Sequence, residues 1–83
     1  MDNNFVWVLF SSESDEMIEV FKNRYDAFNK CIYLITEYHK EKSSLLPNTW
    51  LSETLEELIE TFNEEMDNFG IDDLVEVWKK KIN

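Results

Sequence analysis

The sequence predicts a single α+β domain in the order ββααα, a β-hairpin followed by three helices. Two aromatic and β-branched runs near the start of the chain are typical of paired strands. Three later segments place apolar residues at the three- and four-residue steps of a helix. With 83 residues, of which 43% are apolar and 14% aromatic, the chain can bury one small core. We therefore expect residues 1–83 to form one domain.

The hairpin is predicted over residues 5–21. Its strands read FVWVLF and MIEVF and are separated by the polar residues 11–16. The first strand is apolar on both faces, and a two-stranded sheet alone is marginally stable in water. We therefore expect this strand to pair with more of the chain or with a second copy, and the second copy predicts a homodimer.

The first helix is predicted over residues 24–42. Asn23 is a suitable N-cap, and Asp26 places an acid in the first turn, where the helix dipole favours it. Residues 43–48 contain the only proline and predict the connecting loop. The buried face of the helix is supplied by Ala27, Phe28, Cys31, Ile32, Leu34, Ile35 and Tyr38.

A second helix is predicted over residues 52–69, with Ser52 or Asn48 as its N-cap and Gly70 as its left-handed end. Its apolar stripe consists of Leu51, Leu55, Leu58, Ile59, Phe62, Met66 and Phe69. A third helix is predicted over residues 72–82, because apolar residues recur there at helical steps. The lysines at 79–81 would then complement the dipole at the end of that helix.

The net charge of the protein belongs to one segment. Residues 52–76 contain ten carboxylates and no basic residue, whereas the rest of the chain carries eight acids and eight bases. The net charge of −10 therefore resides in the second helix and the residues just after it. Six acids are predicted to lie together opposite the apolar stripe: Glu53, Glu56, Glu57, Glu60, Glu64 and Asp67.

This concentration of acids predicts a function. Helices that need only solubility usually alternate Glu with Lys, since unlike pairs stabilise by about 0.2–0.5 kcal/mol and like pairs destabilise by similar amounts. With Glu65 on its flank, the predicted helix would carry about one charge per 3 Å, close to the roughly 3.4 Å spacing of phosphates along a DNA strand. We therefore expect a mimic of nucleic acid that binds the basic groove of a nucleic-acid-binding protein or nuclease. If this helix is an interface, Trp50 is the candidate aromatic anchor beside it, although a place in the core is favoured for this residue.

Other activities are disfavoured. The acidic balance argues against direct contact with nucleic acid or anionic membranes. The single His39 and the single Cys31 lack the neighbours that catalysis or zinc binding requires, and no glycine-rich phosphate loop is present. We therefore expect neither an enzyme nor a cofactor. An EF-hand spacing begins at Glu65, but its fifth position is Phe69, so a helix end is favoured over calcium binding.

In size, charge and its one-sided acidic helix, the chain resembles the small acidic proteins that phages encode early in infection. These include DNA mimics, antirestriction proteins and anti-CRISPR inhibitors. The resemblance implies a host-takeover inhibitor in the cytoplasm of a bacterial host, and it carries over no functional residue. The charge also resembles that of acidic nuclease inhibitors of the immunity-protein and barstar kind, although the initial hairpin departs from the all-helical immunity fold. The alternative is an assembly module that docks through its apolar hairpin, with an acidic face that only solubilises it.

Overall fold

The computed structural model describes residues 4–12, 17–64 and 67–82. These residues form a four-stranded antiparallel sheet and two α-helices, in the chain order ββααββ. The α+β class is therefore retained, but the predicted ββααα arrangement with three helices is wrong. The elements are β1 (Phe5–Ser11), β2 (Met17–Phe21), α1 (Arg24–Lys42), α2 (Trp50–Glu64), β3 (Asn68–Ile71) and β4 (Val75–Lys81).

The segment predicted as the third helix, residues 72–82, instead forms a turn and the central strand β4. Within it Val75 and Val77 are buried and alternate with Glu76 and Trp78. This two-residue period is that of a strand, although the apolar residues of the segment also fit the steps of a helix. In the sheet order β2-β1-β4-β3, β4 occupies the second edge of β1. The first strand thus pairs with more of its own chain, and the lysines at 79–81 lie on a strand.

The acidic helix is shorter than the predicted 52–69. It begins at Trp50, so the expected cap Ser52 lies inside it, where its hydroxyl donates to the Thr49 carbonyl oxygen at 3.2 Å. Gly70 does not end a helix but lies in β3 with φ of +142°. A Cβ there would collide with the Val75 carbonyl oxygen and lie 2.8 Å from Glu76 Cα. The glycine therefore permits close approach of β3 to β4.

Helix α1 occupies residues 24–42, as the sequence predicts, and the Asn23 side chain accepts a hydrogen bond from Tyr25 N at 2.7 Å. Both helices cover the same face of the sheet, and the core lies between the two layers. In the described part of the chain, no helix is long and apolar enough to cross a membrane. The core residues are Leu9, Ala27, Cys31, Ile35, Leu58, Phe62, Phe69, Leu74, Val75 and Val77.

Candidate functional site

The exposed side of α2 carries five glutamates, which we call the acidic face: Glu53, Glu56, Glu57, Glu60 and Glu64. No other described residue forms an ion pair with any of them. At about 1.5 Å per residue they extend over roughly 17 Å of helix, or one carboxylate per 3–4 Å. The acidic face is thus shorter than the predicted row of acids, of which Glu65 lies outside the described residues, but its charge density is close to the expected value.

The acidic face is held in place by the opposite side of α2. Leu58 is fully buried, and Phe62 is nearly so. The Thr61 hydroxyl accepts a hydrogen bond from Gly70 N at 3.2 Å, which ties the helix to β3. At the end of α2, the Arg24 guanidinium donates to the Phe62 carbonyl oxygen and lies 3.8 Å from the centre of the Phe62 ring. This cation supplies the favourable charge that the last turn of α2 itself lacks.

Asp67 is placed apart from the other predicted acids, whereas Trp50 takes the place in the core that the sequence favours for it. Asp67 lies beyond the end of α2, and its carboxylate forms an ion pair with Lys79 on β4 at 3.6 Å. Trp50 begins α2 but is half-buried against the core, with its ring stacked on His39 at a centroid distance of 6.0 Å. The structure therefore brings the five glutamates together and separates Asp67 from them.

A cleft of about 300 Å³ extends the acidic surface toward the β3–β4 turn. Glu57 lines it together with Asp72 and Asp73, and Trp50 and Tyr38 contribute aromatic side chains. The sequence predicts the two aspartates at the start of a helix, so their approach to Glu57 is not apparent from it. Among the described residues no acidic, histidine or cysteine cluster has metal-binding geometry, so the cleft presents negative charge without a built metal site.

The face of the sheet opposite the helices is apolar and uncovered by any described element. Ile18 and Val20 on β2 are 60% and 58% exposed, and Trp78 on β4 is 41% exposed. The register places Val8 between Val20 and Trp78, and Phe10 beside Ile18. We call this surface the open sheet face; it comprises Val6, Val8, Phe10, Ile18, Val20, Glu76, Trp78 and Lys80.

Cys31 and His39, the two residues considered for catalysis, both pack against other side chains. Cys31 is fully buried in the core, and this burial raises the pKa of its thiol from 9.0 to about 12. A thiol with that pKa supplies almost no thiolate near neutral pH. His39 is half-buried beneath the Trp50 ring. Both side chains therefore contribute to packing in this structure.

No protein-family model, curated protein or solved structure matches the chain. The functional interpretation therefore rests on the acidic face and the open sheet face.

Proposed function

We propose that this protein is an inhibitor that binds the basic groove of a nucleic-acid-binding protein or nuclease through its acidic face. The observation that carries the proposal is the set of five exposed glutamates on α2, which lack ion-pair partners in the described chain. Their spacing of one charge per roughly 3–4 Å of helix is close to the roughly 3.4 Å between phosphates along a DNA strand. A groove that neutralises phosphates would meet a similar density of negative charge.

Rigidity of the acidic face supports the same proposal. The anchoring of α2 through Leu58, Thr61 and Phe62 fixes the helix before a partner arrives. Binding therefore requires little further ordering of the backbone, which leaves more of the interaction free energy for affinity. Complementary charge would also accelerate association, and this acceleration would fall as salt screens the field.

The cleft beside Glu57 offers a second contact for a cationic partner. Its three carboxylates attract a Lys or Arg side chain, and the rings of Trp50 and Tyr38 supply aromatic surface against which a guanidinium can pack. Because Trp50 is half-buried, it would contribute the exposed part of its ring to this contact. The acidic face would carry the long-range attraction, and the cleft would hold one basic side chain.

The biological class we propose is that of phage-type host-takeover, antirestriction or anti-CRISPR proteins acting in a bacterial cytoplasm. Support comes from the net charge of −10 and the concentration of that charge on one helix. An inhibitor that occludes a groove needs no catalytic group.

The test is capture of partners by the tagged protein from a nuclease-treated bacterial lysate, with elution by increasing salt and by duplex DNA. The variant E57K/E60K/E64K reverses the acidic face. The control variant D26K/E37K/E41K changes the net charge equally but places the new lysines on α1. Circular dichroism establishes that both variants fold.

We expect the wild type and the α1 control to retain a nucleic-acid-binding protein that duplex DNA displaces, and the α2 variant to lose it. Exposed ion pairs contribute about 0.2–1 kcal/mol each. Replacing three attractions by three repulsions should therefore weaken binding by about 3 kcal/mol, or roughly 100-fold. Equal loss of binding by both variants would indicate a dependence on total charge and would contradict a groove-specific acidic face.

The open sheet face favours a second candidate function, an assembly module. Large apolar side chains such as Ile18 and Val20 are more than half exposed on one continuous surface, and such surfaces commonly mark interaction sites. Under this candidate the acidic face keeps the protein in solution, and capture in the lysate experiment should be insensitive to the α2 reversal.

A further inference from the structure

The open sheet face has a chemical character that restricts what can cover it. Six of its residues are apolar, and its charged residues are one carboxylate, Glu76, and one ammonium group, Lys80. Nucleic acid and anionic lipid both require a cationic footprint, and this face has no net charge. Whatever covers this face must therefore have an apolar centre and must place an opposite charge against both Glu76 and Lys80.

Those two charges flank Trp78 symmetrically along β4. Glu76 and Lys80 lie two residues before and two residues after it, so all three side chains are on the same face of the sheet. Trp78 Nε1 donates to a Glu76 carboxylate oxygen at 3.1 Å, and the Lys80 ammonium lies 5.6 Å from the centre of the Trp78 ring. A two-fold axis that lies between two facing sheets and passes Trp78 perpendicular to β4 would place Glu76 of one copy opposite Lys80 of the other.

We infer that the open sheet face is a homodimer interface, in which a two-fold axis near Trp78 sets Glu76 of one copy against Lys80 of the other. The inference develops the second candidate function and does not depend on the acidic face. A two-fold interface uses the same patch on both copies, so each charge must find its opposite on that patch. The Glu76, Trp78 and Lys80 triplet meets this requirement, and the apolar residues of β1 and β2 pack against their counterparts.

The charge distribution of the whole molecule favours face-to-face packing of two open sheet faces over edge-to-edge pairing of their strands. The acidic face points away from the sheet, since the opposite side of α2 packs into the core. Packed sheets lie about 10 Å apart, and each helix layer adds roughly 10 Å, so the two acidic faces would be about 30–40 Å apart. That separation exceeds the roughly 10 Å screening length at 0.1 M salt. The acidic faces would then lie on opposite sides of the dimer.

The size of the face indicates a weak dimer. Strands about 4.8 Å apart, with up to seven residues each, give a projected area on the order of 400 Å² per copy. Two copies would bury about 800 Å² or somewhat more, which is below the size of standard stable interfaces. We therefore expect dissociation constants in the range of about 1–100 μM.

The first test measures mass in solution by sedimentation velocity as the concentration of the full chain is increased. We expect the 10.0 kDa monomer at low concentration and twice that mass at high concentration. Val20→Lys should abolish the dimer and still fold, because Val20 is already exposed in the monomer. Leu45→Lys is the matched control, since Leu45 is 78% exposed but lies in the short 3-10 helix after α1, and this variant should dimerise like the wild type. A monomer at all concentrations up to about 500 μM, or a dimer unaffected by Val20→Lys, would overturn the inference.

The second test examines the two-fold axis. Glu76→Lys would oppose two ammonium groups, and Lys80→Glu would oppose two carboxylates, so each should weaken the dimer about tenfold. The double variant E76K/K80E restores opposite charges across the axis and should recover most of the wild-type affinity. Failure of the double variant to recover would exclude this pairing. Reversal of the acidic face in E57K/E60K/E64K should leave the dimer intact, which separates this result from the inhibitor proposal.

Discussion

Neutralising Glu60 should make the free protein more stable. Glu60 lies four residues from Glu56 and from Glu64, and three residues from Glu57, so it has three like-charged neighbours on the helix surface. Each such pair destabilises a helix by about 0.2–0.5 kcal/mol. Glu60→Gln, which keeps the size and helix propensity of the side chain, should therefore raise the free energy of unfolding by about 0.6–1.5 kcal/mol. For a domain of this size the melting temperature should rise by about 3–10 °C.

The measurement is urea unfolding followed by tryptophan fluorescence at about 20 mM and about 500 mM NaCl. The gain should appear as a higher midpoint at unchanged slope, and it should shrink at high salt because the repulsion is between exposed charges. Glu53→Gln is the matched control. Glu53 lies in the first turn, where the helix dipole favours a carboxylate by about 0.3–1 kcal/mol. In Glu53→Gln, the stability gained by removing two like-charge pairs should therefore be almost cancelled by the loss of this favourable interaction.

Repulsion within the acidic face would be contradicted if Glu60→Gln were no more stable than the wild type, or if its gain were the same at both salt concentrations. The first result would mean that Glu60 makes a stabilising interaction that offsets its like-charged neighbours, and the second would mean that the gain does not come from exposed charge. If the gain is found together with weaker capture of a partner, the acidic face lowers the stability of the free protein in return for binding, as functional sites often do.

Three further predictions concern the framework that holds the acidic face. Gly70→Ala should lower the free energy of unfolding by about 2–4 kcal/mol in urea titrations, because φ of +142° and the adjacent β4 backbone exclude a side chain; Asn68→Ala, in the same strand, should change it by less than about 1 kcal/mol. Thr61→Val should cost about 1–2 kcal/mol, since it leaves the Gly70 N–H without its acceptor, and a variant as stable as the wild type would argue against that hydrogen bond. Because burial raises the pKa of Cys31 from 9.0 to about 12, the folded state keeps a proton that the unfolded chain releases, so stability should fall as pH rises from 9 to 12. Comparison with Cys31→Ala isolates that loss, and rapid modification of native Cys31 by a thiol reagent at pH 8 would contradict the buried position.

Local signals in the sequence determined the elements whose cues are unambiguous. Helix α1 follows from the Asn23 cap and a long apolar periodicity, and it occupies the predicted residues 24–42. The hairpin of β1 and β2 follows from dense aromatic and β-branched residues, and its strands pair as expected. The exposed glutamates of α2 were also predictable, because helical spacing fixes which residues share a face.

The end of the chain was decided by tertiary structure. Val75 to Trp78 fits a helical and a strand period equally well, and no cap or turn residue within it separates the two. The deciding contact is with β1, whose residues lie 64 to 76 positions before their partners in the sequence. β1 has a free edge that only an extended partner can satisfy. Pairing β4 there satisfies the backbone groups of both strands and buries Val75 and Val77, whereas a third helix would leave that edge unpaired.

The pairing of β4 with β1 also determines which residues lie beside the acidic face and on the open sheet face. Once β4 joins the sheet, the acidic helix ends before β3, Asp67 is drawn to Lys79, and Asp72 and Asp73 converge on Glu57 at the cleft. It also places Trp78 beside β1 and so completes the open sheet face. The amount of charge on α2, and the side of the helix on which it lies, follow from the order of the residues, because both depend on local helical geometry. The residues beside and behind that charge follow from the complete fold, because they are brought there by pairing between distant strands.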